Sequence, residues 1–127
     1  NIQQFWSDVL AQRADEIREY FQADAYVNWH CSNEHFTVEE FIRANCDYPG
    51  DWDGEVEKIV TTGDMIITAT QYIEGLLRFF SRYVLYQLKD GKIAAMDEYW
   101  ADDGEAPKWR QDMKSWEKDK MIELRTI

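Results

Sequence analysis

Two neighbouring stretches of this chain, residues 65–70 (Met-Ile-Ile-Thr-Ala-Thr) and 79–86 (Phe-Phe-Ser-Arg-Tyr-Val-Leu-Tyr), carry large or apolar side chains at consecutive positions instead of alternate ones. A strand with that pattern is covered on both faces. Both stretches lie in a β-rich half of the chain with segments at 55–62, 64–73, 78–88 and 92–100, separated by Gly63, Glu74-Gly75 and Asp90-Gly91. The Asp-Gly pair between alternating segments is a strong hairpin signal, so four strands in meander order are expected. The short helices expected before them can cover only one face of such a sheet. A symmetric partner is the commonest cover for the other, and a homodimer through the sheet face follows as an expectation.

The half before the meander reads mainly as helical. Ile2, Phe5, Trp6, Val9 and Leu10 recur with the i, i+3, i+4, i+7 spacing of a helix that buries one face. The stripe falters at Gln12 and Arg13 and resumes at Ile17, Tyr20 and Phe21, which predicts two short helices or one kinked helix before Ala23. Residues 25–31 alternate, predicting a strand with Ala25, Val27, Trp29 and Cys31 on one face and Tyr26, Asn28 and His30 on the other. Thr37 with Glu40 three residues on forms a capping box, which starts a helix over 38–46. Tyr48-Pro49-Gly50-Asp51-Trp52-Asp53-Gly54 then stops regular structure and places two aromatics on a loop.

Composition narrows the partners. Fourteen Lys and Arg stand against 25 Asp and Glu, and a net charge of −11 repels a phosphate backbone, so nucleic acid is not an expected partner. Apolar runs are far shorter than the roughly 20 residues of a membrane-spanning helix, and no signal-peptide pattern is read, so a cytoplasmic protein with no membrane partner is expected. Two cysteines, Cys31 and Cys46, are no disulfide framework and suit a reducing compartment. The length of 127 residues fits a single domain over 1–110, followed by a charged tail over 111–127. Trp109, Met113 and Trp116 give the last stretch helical spacing.

The element order, the strand at 25–31 after Phe21-Gln22-Ala23-Asp24, and the closing strand 92–100 (Lys-Ile-Ala-Ala-Met-Asp-Glu-Tyr-Trp) resemble the nuclear transport factor 2-like superfamily. The SnoaL-like branch fits best. Residues 36–50 (Phe-Thr-Val-Glu-Glu-Phe-Ile-Arg-Ala-Asn-Cys-Asp-Tyr-Pro-Gly) and 97–110 (Asp-Glu-Tyr-Trp-Ala-Asp-Asp-Gly-Glu-Ala-Pro-Lys-Trp-Arg) resemble a bacterial subgroup to which no reaction is assigned. The resemblance implies an α+β fold, with a cystatin-like curved antiparallel sheet wrapped around the N-terminal helices. It further implies a cone-shaped pocket and a dimer packed through the sheets. Superfamily members include isomerases, epoxide hydrolases, dehydratases and cyclases as well as proteins that only bind or scaffold, so the fold leaves function open.

Matched to ketosteroid isomerase, Trp29 stands where that enzyme has its aspartate base and Tyr83 where it has its second oxyanion-hole acid. An indole cannot remove a proton, so a base must come from elsewhere. Glu98 is the first candidate: Met96, Glu98 and Trp100 share a strand face that the resemblance turns toward the pocket, and desolvation there disfavours the carboxylate. The plainer alternative is that Glu98 satisfies a buried partner such as Tyr83 or Arg82. His30, with a near-neutral imidazole, and Tyr83 are the assisting candidates, although strand parity turns His30 away from Trp29. Trp29, Val27, Asn45, Tyr48, Trp52, Met96 and Trp100 are the expected ligand-binding residues.

Other chemistries are not supported. His30, Cys31 and His35 match no zinc-ligand spacing, and a calcium loop starting at Asp51 would put Thr62 where a bidentate Glu belongs. No phosphate loop or catalytic triad order is visible, so no cofactor and no metal are expected. Asp97, Asp102, Asp103 and Glu105 read as a solvated acidic rim. Trp109-Arg110 could close the pocket mouth or reach the second subunit. The leading expectation is a pocket for a small apolar, cyclic ligand, with cofactor-free isomerase, cyclase or hydratase chemistry. Its rivals are a non-catalytic binding or dimeric scaffold module, and an adaptor using Trp109, Met113 and Trp116.

Overall fold

The computed structural model describes residues 1–47, 52–74 and 78–113, and side chains only outside 73–80. Helices α1 (Ile2–Leu10) and α2 (Ala14–Glu19) lead into strand β1 (Phe21–Trp29), a 3-10 turn (His30–Ser32), β2 (Glu34–Thr37) and α3 (Val38–Cys46). Strands β3 (Trp52–Thr62), β4 (Met65–Glu74), β5 (Arg78–Lys89) and β6 (Lys92–Asp102) follow, then α4 (Lys108–Met113). The six strands form one sheet in the order β2-β1-β6-β5-β4-β3. Helices and a curved sheet make an α+β fold, as expected from the sequence.

Local chemistry explains most of the boundaries. The Asn1 side chain caps α1 by accepting from the amides of Gln3 and Gln4. Thr37 and Glu40 complete the capping box of α3. Asp90 and Gly91 both have positive φ, as the tight turn between β5 and β6 requires. The meander β3–β6 is antiparallel throughout.

Three expectations need correction. The sheet is mixed, not purely antiparallel, because β1 runs parallel to β6. Strand β1 begins at Phe21 and ends at Trp29, not at 25 and 31. Helical spacing had grouped Phe21 with Ile17, but its ring packs against Phe5 and Phe41, and its backbone lies beside Ile93. At the other end, residues 30–32 coil into the 3-10 turn, and the chain doubles back as β2, which the sequence pattern did not suggest. Trp52 opens β3 instead of standing on a loop, pairing with Glu74.

The core lies between the three N-terminal helices and one sheet face. Phe5, Ile17, Val27, Phe41, Val84, Tyr86 and Met96 have no exposed surface. Each such side chain contributes about 1.5–3 kcal/mol through burial. Phe5 meets Trp6, Tyr20, Phe21 and Tyr86 edge-on, the geometry aromatic quadrupoles favour. Within this core Trp6 Nε1 donates to Tyr86 Oη, which also bonds Thr68 Oγ1 at 2.9 Å. Asp8, 4% exposed, accepts from Arg13 at 2.8 Å and from Tyr20 at 2.9 Å. Burial opposes ionisation of Asp8, but those hydrogen bonds win and hold its carboxyl below the ordinary value.

The opposite sheet face has no helix upon it among the described residues. Tyr26, Tyr83 and Tyr99 are exposed there, beside half-buried Ile67 and Leu85.

Candidate active site

Strand parity divides the candidate residues between two faces. On β6, Met96, Glu98 and Trp100 point inward beneath the helices, whereas Asp97 and Tyr99 point outward. On β5, Arg82, Val84 and Tyr86 point inward and Tyr83 outward. The parallel register sets Trp29 beside Glu98 and Asn28 beside Asp97. Each pair is closed by a side-chain hydrogen bond on its own face.

On the inner face, Glu98 has no exposed surface and both of its oxygens are engaged. Trp29 Nε1 donates to Oε2 at 2.6 Å, and Arg82 Nη1 donates to Oε1 at 3.0 Å. The guanidinium carbon of Arg82 lies 4.9 Å from the centre of the Tyr72 ring and 5.3 Å from that of Trp100. Both distances allow a cation–π attraction. Trp100 in turn meets Trp29 edge-on at 5.3 Å. Burial pushes the Glu98 carboxyl above its ordinary value, while Arg82 and Trp29 pull it back. Burial likewise raises the Tyr72 phenol.

Above this pair a cavity of about 210 Å³ opens between the sheet and the ends of α1 and α3. Trp29, Trp52, Tyr72, Trp100 and Arg82 form its sheet side, and Val9, Leu10, Gln12, Ala44 and Asn45 its helix side, with Asp102 on its border. Gln12 Nε2 donates to the Asn45 carbonyl at 2.8 Å, tying the α1–α2 turn to the end of α3. A second cavity of about 480 Å³ lies between α1 and β3–β4, sharing Leu10, Trp52 and Tyr72 as a wall with the first. Gly54 lines the second cavity, where a Cβ would come 2.7 Å from the Gln71 carbonyl oxygen.

Of the expected ligand-binding residues, the cavity brings together Trp29, Asn45, Trp52 and Trp100. Val27 and Met96 are not among its lining residues; both are fully buried in the core beneath. Tyr48 lies outside the described residues. Glu98 stands behind Arg82 and Trp29 and is not itself a lining residue.

The two assisting candidates are elsewhere, which corrects their expected place. Tyr83 is 57% exposed on the outer face, because alternation along β5 leaves it opposite Arg82 and Val84. His30 leaves the strand at the 3-10 turn and stacks on Tyr99 at 4.5 Å, its Nε2 2.7 Å from Asp97 Oδ1. Asp97 also accepts from Asn28 Nδ2, whose Oδ1 contacts His35 Nδ1 at 2.6 Å. Both histidines thus belong to a polar network on the outer face. No group of three or more His, Cys, Asp or Glu positioned for a metal occurs among the described residues.

Sequence reasoning missed Arg82 as a pocket residue, together with Tyr72, Leu10 and Asp102. A signal was present: Arg82 is a cation at the inward parity of an otherwise apolar strand, and such a residue needs a buried partner.

No family model matches the chain, and no curated protein matches it at a significant level. Solved structures do. An NTF-2-like protein of unknown function from Burkholderia xenovorans aligns with a TM-score of 0.73 at 23% identity, over 88% of each chain. A candidate ketosteroid isomerase from Kribbella flavida aligns with a TM-score of 0.76 at 18% identity, over 88% of this chain and 83% of that one. An LEH-like epoxide hydrolase from M. tuberculosis aligns with a TM-score of 0.63 at 14% identity, over 76% of this chain and 77% of that one. SnoaL-like polyketide cyclases also occur among the structural neighbours. The helices over one face of a curved six-stranded sheet, with a cavity between them, are the fold of the nuclear transport factor 2-like proteins, and this chain has that fold.

Proposed function

We propose that this protein binds a small, mostly apolar, cyclic ligand between Trp29, Trp52, Tyr72 and Trp100 and acts on it by cofactor-free proton transfer. Isomerisation, cyclisation and hydration or dehydration are the reaction classes that suit such a site. The observation that carries the reading is an aromatic-walled cavity lined by Arg82, whose ion-pair partner Glu98 is buried directly behind it. Apolar walls with a few fixed polar groups are what a small-molecule site needs. Glu98 is the proposed proton-transfer group, since burial raises its pKa toward a useful range. Arg82 then stabilises negative charge that develops on the ligand.

A second reading, a non-catalytic binding module, is favoured by the two hydrogen bonds that already occupy Glu98. Native mass spectrometry of gently purified protein, followed by denaturation, identifies a retained ligand and thereby a reaction to assay. With that ligand, Glu98→Gln is expected to lower turnover by roughly 100- to 10,000-fold, the usual worth of a general acid or base. Turnover surviving within about threefold would remove Glu98 from the chemistry, and wild-type protein that binds but never turns over would favour the module.

The homodimer belongs to the same proposal. Tyr83, Tyr99, Ile67 and Leu85 give the outer face an apolar surface that a second copy would cover. Cytoplasmic residence is supported by free thiols at Cys31 and Cys46. No helix among the described residues is long and apolar enough to cross a membrane.

A further inference from the structure

The second cavity, about 480 Å³, is a groove between α1 and the strands β3 and β4. Leu10, Ala11, Trp52 and Val56 give it an apolar lining. Asp53 and Glu55, both exposed, are its charged lining residues, and among the described residues no Lys or Arg lines it. β3 is the last strand of the sheet, so no described strand covers its outer edge. Such edges are usually blunted by bulges and lysines. Here a bulge between Val56 and Lys58, and Lys58 itself, blunt the far half of β3. Over residues 52–56, beside α1, the only charges are Asp53 and Glu55, which repel an acidic chain and attract a basic one. The chemistry that fits this groove is an apolar stretch of chain carrying cations.

The sequence itself contains such a stretch. Residues 108–127 carry six Lys and Arg against four Asp and Glu, a net charge of +2, whereas residues 1–107 carry eight against 21, a net charge of −13. Toward the end of this segment Lys118, Lys120 and Arg125 are interleaved with Met121, Ile122, Leu124 and Ile127. Its first turns present apolar surface to solvent: Trp109 and Met113, one helical turn apart on α4, are 62% and 73% exposed. The segment also sets out from nearby, because β6 ends at Asp102 on the border of the first cavity, which shares a wall with the groove. Residues 114–127 reach at most about 50 Å when extended, against roughly 14 Å for the nine-residue α1. We propose that residues 114–127 dock in the groove between α1 and β3 of their own chain. Their apolar side chains then cover Leu10, Trp52 and Val56, and their cations lie beside Asp53 and Glu55.

The test is zero-length carbodiimide cross-linking of the full chain, as a mixture of isotopically labelled and unlabelled protein, read by peptide mass spectrometry. Links from Lys114, Lys118 or Lys120 to Asp53 or Glu55, with both ends carrying the same label, are expected. Mixed-label links to those two carboxyls would place the segment on a second copy, and links only to other carboxyls, or none, would place it away from the groove. Either result overturns the proposal. Hydrogen exchange of the full chain gives a second readout. Ile122→Asp combined with Leu124→Asp changes nothing in the core, so it leaves the fold intact. It is expected to lower the cross-link yield at least fivefold and to speed exchange of amides 52–56 by about tenfold, with amides 82–86 unchanged. Equal exchange at 52–56 in variant and wild type would overturn the docking.

Discussion

Arg82 and Glu98 lie on neighbouring strands, 16 residues apart in sequence, and meet at 3.0 Å with the carboxylate wholly shielded from solvent. Removing one partner of such a pair leaves an uncompensated buried charge, which is costlier than the pair is stabilising. Glu98→Ala should therefore destabilise the fold by about 3–5 kcal/mol in urea unfolding. The double variant Glu98→Leu with Arg82→Met should recover much of that loss, since an apolar pair of similar volume leaves no charge unpaired. A single-variant loss below about 1 kcal/mol would mean that water reaches the site and solvates Arg82.

Two carboxyls set opposite pH dependences. Asp8 has a folded pKa below its ordinary 3.8, so its contribution is present above that value and is lost as pH falls through the folded pKa. Glu98 has a folded pKa above its ordinary 4.5, so stability falls as pH rises from there through the folded pKa. Unfolding free energy measured from pH 2 to 8 should thus rise out of the acid limb and then decline. Asp8→Asn should flatten the acid limb, and an unchanged limb would assign it to other carboxylates.

Gly54 lies on β3, paired with Tyr72 of β4. A methyl group there would sit 2.7 Å from the Gln71 carbonyl oxygen and 3.2 Å from the Tyr72 ring, so backbone must move. Gly54→Ala is expected to cost about 1–3 kcal/mol, the usual range for overpacking. Displaced Tyr72 should also weaken ligand binding in the first cavity, read by calorimetry. An unaltered urea midpoint would show that β3 is free to shift.

The dimer proposal makes a direct demand on Tyr83. A charge at the centre of a buried sheet face is unpaired there, so Tyr83→Glu should yield a monomer in analytical ultracentrifugation while circular dichroism stays native. A wild-type monomer at tens of micromolar would end the proposal. The same variant also tests whether the pocket depends on the second copy, because Tyr83 lies on the face opposite the cavity.

Much of the fold was legible because burial writes a period into the chain. The stripe Phe5, Trp6, Val9 marked α1, the Thr37–Glu40 pair marked the start of α3, and Asp90-Gly91 marked the last hairpin. Strand β2 was not legible, since its residues Glu34 to Thr37 carry little apolar signal and are mostly exposed. It exists because β1 offers a free edge and the 3-10 turn reverses the chain alongside it. The site was half legible. Alternation along β6 put Glu98 with Met96 and Trp100, but matching to a known enzyme placed Tyr83 inward against the parity of its own strand.

By itself, then, the sequence determined which side chains of each element face the core, since that follows from periods of 3.6 and 2 within a few residues. Tertiary structure alone decided which of those side chains meet. The parallel pairing of β1 with β6 brings Trp29 to Glu98 across 69 residues, and register between β5 and β6 brings Arg82 to the same carboxylate. Such contacts depend on strand order and on bulges that shift register, and neither leaves a local pattern in the chain.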